Sequence, residues 1–179
     1  MNKQIIGISG KMQHGKTTLA RFIQQELDKR GRTCTIQGFA GPLKADLNSL
    51  GINVSDKSAI NRRLMQAYGQ AKRAQDPEYW ILRWEQAVLR DDKHDVVIVD
   101  DVRFQNELEY LNRLGGLVLR VQKVALELVR PEHDDLSETD LDRAAFRYII
   151  AAEAGDLQPL MLAAHNLAET LYPAGKIAS

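Results

Sequence analysis

Gly10-Lys11-Met12-Gln13-His14-Gly15-Lys16-Thr17 is the stretch whose residue types and spacing speak most directly of chemistry. It follows G-x-x-x-x-G-K-[ST] without exception, after a short apolar run and before an amphipathic one. Glycines at those two places let the backbone curl until successive N–H groups point inward. That cradle suits phosphate oxygens, and the positive end of a following helix reinforces it. Lys16 is expected to reach the β- and γ-phosphates of ATP and the Thr17 hydroxyl to ligate Mg²⁺, with Thr18 as the next residue of the cradle. His14 titrates near neutrality, but at a variable position of the loop it is expected to offer its backbone and turn its side chain outward.

A site of this kind also needs a carboxylate at the end of a neighbouring strand to hold the metal and its waters. Val96-Val97-Ile98-Val99-Asp100 has that form, and Asp101 follows at once. Strand alternation sends the two carboxylates to opposite sides, so only one faces the metal; Asp100 is taken as that one. Next comes Asp101-Val102-Arg103-Phe104-Gln105-Asn106-Glu107, which sets a guanidinium beside the phosphate loop. There Arg103 can bind an acceptor phosphate or the group in transfer. Asn106 and Glu107 are candidates either for substrate contact or for capping the helix that begins there.

The elements that must position these groups alternate short apolar runs with longer amphipathic ones, the pattern of an α/β fold with a parallel sheet. Strands are predicted at Gln4 to Ser9, Thr33 to Gln37, Val96 to Val99, Leu117 to Val121 and Arg147 to Ala151. Helices are predicted from Lys16 to Arg30, Pro42 to Leu50, Pro77 to Arg90, Asn106 to Leu114 and Leu157 to Leu171. A helical tract broken at Gly69 and at Asp76-Pro77 lies between the second and third of the strands. The expected architecture is a three-layer P-loop NTPase fold with helices on both faces of the sheet. One domain over residues 1–179 is expected, with a helical acceptor-binding region at 42–90 and a lid-like insertion at 122–140.

Composition narrows the partners. The chain has 179 residues, 44% of them hydrophobic and 27% charged, which excludes disordered and collagen-like classes. Its one cysteine, Cys34, cannot form an internal disulfide. No apolar run approaches the roughly 20 residues that span a bilayer, and no secretory segment opens the chain, so a cytoplasmic protein without a membrane partner is expected. The 24 basic residues balance 24 acidic ones. That disfavours a global field for nucleic acid and favours a small anionic substrate. Locally, Arg62, Arg63, Lys72, Arg73, Arg83 and Arg90 outnumber Asp76, Glu78 and Glu85.

Several pieces in one order extend the pattern: the phosphate loop, Phe39-Ala40-Gly41-Pro42-Leu43-Lys44, Gln66 through Gly69, Trp80-Ile81, Asp101 to Glu107, and Ser137-Glu138. Together they resemble the deoxynucleoside monophosphate kinase family of tailed phages over roughly residues 4–160. Two places depart from that family: its His-x-Ser-Glu is stretched here to His133-Asp134-Asp135-Leu136-Ser137-Glu138, and its Asn before a late Gly turn is missing from Ala151 to Gly155. The resemblance implies transfer of the γ-phosphoryl group of Mg-ATP to a deoxynucleoside 5'-monophosphate, in the host cytoplasm if the gene is a phage's. Such an acceptor oxygen is already anionic, so positioning and charge neutralisation matter more than proton removal. Acceptor-side candidates are Arg103, Lys44 and Arg63, with Phe39 and Trp80 as stacking residues and Gln66 at the base edge; Lys123 and Arg130 are candidates to close over ATP. A hydroxyl acceptor, as in kinases acting on hydroxymethyl pyrimidines within DNA, would instead need a base, for which Asp46 or Asp101 could serve. An ATP-hydrolysing switch is a third reading. A homodimer is left open.

Overall fold

The structure is a computed structural model that describes residues 3–56, 58–88, 93–124 and 135–173. Five strands form one parallel sheet: β1 Gln4–Ser9, β2 Cys34–Ile36, β3 Val96–Val102, β4 Leu117–Lys123 and β5 Tyr148–Ala152, in the order β2-β3-β1-β4-β5. The helices are α1 Lys16–Asp28, α2 Ala40–Ser49, α3 Ala59–Gln75, α4 Tyr79–Val88, α5 Gln105–Arg113, α6 Leu136–Thr139 and α7 Gln158–Leu171.

Four consecutive β-branched residues crowd a helix but suit a pleat, and Val96 to Val99 form the central part of β3. Alternation along the strands divides the core into two layers. Ile6, Ile8, Val96, Ile98 and Val121 pack with Leu19, Ile23 and Leu27 of α1 and with Leu160 and Ala164 of α7. Ile5, Val97, Val99 and Val118 pack on the other face with Ile81 and Trp84 of α4 and with Leu108 and Leu111 of α5. Helices therefore cover both faces of a parallel sheet, as the sequence pattern predicts. Among the described residues, no helix is long and apolar enough to cross a membrane.

A third apolar cluster stands apart from these layers. Leu43, Leu47, Val54 and Trp80 are buried together, with Leu64, Met65, Tyr68 and Tyr79 partly buried against them. It joins α2, α3 and α4 within the stretch expected to bind the acceptor. Gly69 does not break the helical tract as predicted; it lies inside α3. A single glycine weakens a helix by only about 1 kcal/mol, and this one lets the chain pack closely. A Cβ there would lie 3.0 Å from Leu43 Cδ1, and the Gly69 carbonyl accepts a hydrogen bond from Trp80 Nε1 at 3.1 Å. β3 runs three residues beyond the predicted Val96 to Val99, so Asp100 and Asp101 stand within the strand and not after it.

Candidate active site

The phosphate loop joins β1 to α1 in the middle of the sheet. Gly10 has φ 148°, and a Cβ on it would lie 2.5 Å from the Val121 carbonyl oxygen, so the turn out of β1 is open to glycine alone. Gln13 at φ 63° and Gly15 at φ 96° continue the curl into α1. Lys16 is 8% exposed and donates from Nζ to the carbonyls of Gly10 at 2.6 Å and Lys11 at 2.8 Å. Burial lowers its pKa from 10.5 to about 8, with Arg103 adding to the fall; Glu138, Asp101 and Asp100 oppose it.

Asp100 and Asp101 part as strand alternation requires. The Thr17 hydroxyl donates to Asp100 Oδ2 at 2.9 Å, so both groups expected at the metal meet at the loop. Asp101 turns the other way and accepts from the backbone N–H groups of Phe39 at 2.7 Å and Ala40 at 2.9 Å, at the start of α2. A Cβ on Gly38 would fall 2.3 Å from that carboxylate, which explains the glycine. Burial and the neighbouring Asp100 raise the Asp101 pKa, while the two amides lower it. Both its oxygens are engaged. Its place is that of an anchor for α2, which corrects its expected role as a base.

The loop floors a cleft of about 640 Å³, walled by Phe39, Leu43, Lys44, Val54, Arg62, Met65, Gln66, Arg73, Arg103, Phe104, Glu107 and Glu138, with Thr18, Asp100 and Asp101 at its base. Phe39, Lys44, Gln66, Arg103 and Glu107 are thus brought together. Three acceptor-side expectations are corrected. Arg63 is exposed and outside the lining, while Arg62 lines it, because one residue along a helix turns the side chain by about 100°. Trp80 is 1% exposed and packs edge-on against Tyr79, beneath the wall. Asn106 faces the turn before α4, where Nδ2 donates to the Pro77 carbonyl at 2.9 Å and to Glu78 Oε1 at 3.0 Å.

Met12 and Gln13 line the cleft, whereas two other loop side chains, those of Lys11 and His14, lie outside its lining. Lys11 pairs with Asp142 at 3.2 Å, and the His14 ring lies 3.3 Å from the Val121 carbonyl, which leaves their backbones as the groups available to phosphate. Lys123 ends β4 outside the lining. Arg130, His133 and most of the expected lid lie outside the described residues.

Besides Arg62, the cleft residues Arg73 and Glu138 carry charge at the site without having been singled out for it from the sequence. Arg73 lies with its guanidinium 3.8 Å from the Phe104 ring centroid and donates to Glu107 Oε1 at 3.3 Å. Its spacing, four residues after Gly69 on one helical face, was the available signal. Glu138 is 8% exposed and accepts from the Met12 N–H at 2.7 Å and from the Arg103 guanidinium, which donates also to the Ser137 carbonyl at 3.2 Å. Glu107, 2% exposed, accepts from the backbone N–H groups of Arg103 at 2.9 Å and Phe104 at 3.2 Å, so it closes the first turn of α5 and holds Arg73 as well. Burial pushes its pKa up to about 7.

Comparison with known proteins agrees with the kinase reading at a coarser level. Residues 8–116 match the family model described as phosphomevalonate kinase. No curated protein matches the chain. Among solved structures, shikimate kinase from Bacteroides thetaiotaomicron is similar at 18% identity over 94% of this chain and 98% of that one, with a TM-score of 0.48. A gluconokinase from Sinorhizobium meliloti 1021 is similar at 14% identity over 96% of each chain, with a TM-score of 0.41. Shikimate kinase from Acinetobacter baumannii, solved in complex with shikimate, gives 15% identity over 94% and 90%, with a TM-score of 0.42. The family match takes in the phosphate loop, both strand-end aspartates and Arg103, and covers more than half of the sequence; the chain belongs to the phosphomevalonate kinase family and is a P-loop phosphotransferase.

Proposed function

We propose that this kinase transfers the γ-phosphoryl group of Mg-ATP to a phosphate monoester, and that the monoester is a deoxynucleoside 5'-monophosphate, which becomes the diphosphate. The observation that carries the reading is the gathering of Arg62, Arg73 and Arg103 with Lys44 around one cleft beside Lys16. So many cations suit an acceptor that arrives with its own anionic oxygen. The matched family is named for a kinase of a phosphorylated substrate, and the motif resemblance is to kinases of nucleoside monophosphates; both acceptors carry the same group.

A hydroxyl acceptor, free or within DNA, would need a base, and the two carboxylates considered for that task have other partners. Asp46 accepts from Arg83 Nη2 at 2.7 Å and from the Tyr79 hydroxyl at 3.4 Å, and Asp101 holds the start of α2. Among the described residues, Arg62, Lys72, Arg73 and Arg83 do not form one track either. Arg62 and Arg73 face the cleft, Arg83 pairs with Asp46, and Lys72 lies over the rings of Tyr68 and Tyr79.

In this reading the loop amides and Lys16 hold the β- and γ-phosphates. The Thr17 hydroxyl and the Asp100 carboxylate are hard oxygen donors that fit Mg²⁺, an ion that keeps several waters and takes few protein ligands. The ion supplies charge neutralisation between the phosphates. Arg103 orients the acceptor phosphate, Arg62 and Arg73 neutralise it, and Phe39, Gln66 and Met65 face its organic part. The region 42–90 then acts as the acceptor-binding part of a single unit. Incubation with labelled ATP and a panel of deoxynucleoside monophosphates, phosphomevalonate, and plain and hydroxymethylated DNA tests this. Label in a deoxynucleoside diphosphate supports it; label in polymer, or ATP loss without an acceptor, overturns it. Label in the phosphomevalonate product alone keeps the monoester and removes the nucleotide.

A further inference from the structure

We propose that the Glu138 carboxylate stands where the phosphoryl group in transfer must stand, so that a nucleoside triphosphate binds only by displacing it. The inference rests on the Mg-ATP reading above and adds a competitor built into the chain.

Glu138 reaches back 126 residues to accept the Met12 N–H at 2.7 Å, and its other oxygen takes the Arg103 guanidinium. One donor belongs to the phosphate loop and the other to the acceptor side. The group between them is therefore on the line from ATP to acceptor. Lys16 feels the Glu138 charge as well. A buried carboxylate is stable only when paired, and Glu138 finds its pairing among groups that would serve a phosphate. Glu107 differs, because two of its three donors are amides of its own turn.

Two anions cannot share the Met12 amide and the Arg103 guanidinium at these distances. A ligand that ends at the β-phosphate leaves the pair intact, whereas a γ-phosphate breaks it and hands Arg103 from Glu138 to the phosphates. Glu138 is carried by α6, a four-residue helix held at its start by Asp135, whose side chain accepts the Ser137 N–H at 2.8 Å. A short element can yield without disturbing the sheet.

The test compares Mg-ADP with the magnesium complex of the β,γ-imido analogue of ATP by titration calorimetry, in wild type, Glu138→Gln and Glu138→Ala. In both variants the analogue is expected to bind about tenfold to a hundredfold tighter, the release from one charge-assisted hydrogen bond, while Mg-ADP stays within about twofold. Thermal melts of the ligand-free proteins identify folded variants, and Glu138→Gln carries the test if Glu138→Ala does not fold. An unchanged ratio of the two affinities, a parallel change in both, or weaker analogue binding overturns the proposal while leaving the ATP reading in place. A wild-type protein that binds neither ligand overturns both.

Discussion

Thr17 donates its hydroxyl hydrogen to Asp100 across 2.9 Å, joining the start of α1 to the end of β3, residues 83 apart in sequence. The pair sets two oxygen donors on one side of the phosphate loop. Replacing Asp100 with Asn, or Thr17 with Val, is expected to lower kcat by about a hundredfold or more, in line with the loss of one preorganised electrostatic partner. Magnesium titrations of ATP turnover check it, with the circular dichroism spectrum unchanged. Full activity in either variant would remove the pair from the metal's surroundings.

Lys16 gives a pH dependence with a defined sign. Its pKa in the folded protein, about 8, lies below that of an exposed lysine because burial disfavours the charged form. The free enzyme loses this positive charge as pH rises through about 8, so kcat/KM for Mg-ATP is expected to fall there. Stability moves the other way. A cation whose folded pKa is depressed leaves the unfolded chain binding more protons between about 8 and 10.5, so this group's contribution to stability grows with pH in that window. Mg-ADP titrations from pH 7 to 9.5 check it, and the alkaline loss of affinity should be absent from Lys16→Met. That variant should also lose about a thousandfold or more in turnover.

Asp101 is expected to matter for stability and not for proton removal. Asp101→Ala leaves the Phe39 and Ala40 amides without their acceptor and should destabilise by about 1–3 kcal/mol, read from denaturant unfolding. Gly38→Ala should be at least as harmful, since its Cβ would meet the same carboxylate at 2.3 Å. A change in the pH profile of kcat in a folded Asp101→Asn protein, with stability preserved, would restore it as a base.

Arg62 and Arg63 offer a comparison of neighbours. Arg62→Ala is expected to raise the acceptor KM by about tenfold or more, the loss of one charge-assisted contact to phosphate. Arg63→Ala is expected to stay within about twofold, because its side chain leaves the cleft. Arg103→Ala should also damage acceptor use more than ATP use. Equal effects at 62 and 63 would sink the assignment of the cleft as the acceptor site.

The fold was largely legible because each of its main elements is specified by local chemistry. The spacing Gly10 to Thr17 marks both a turn and what it binds, since the same curled amides that turn the chain point at phosphate. Four β-branched residues at Val96 to Val99 identify a buried strand, and alternation after them predicts the opposite aims of Asp100 and Asp101. Gly69 was misread because glycine breaks a helix only where packing does not reward its small size. Trp80 and Arg63 were misplaced because residue type tells what a side chain can do but not which face it lies on.

By itself the sequence determined the phosphate loop, the order of strands and helices, and the opposite aims of Asp100 and Asp101, all of which depend on residues close in the chain. Only the tertiary structure decided that Arg62 and Arg73 enter the cleft, that Asp101 anchors α2, and that Glu138 closes on Met12 and Arg103. The contacts of Asp101 and Glu138 join groups from 35 to 126 residues apart, as between Arg103 and Glu138 or Met12 and Glu138. The partner of a charge is set by which surfaces the helices bury against the sheet, and no local spacing encodes that.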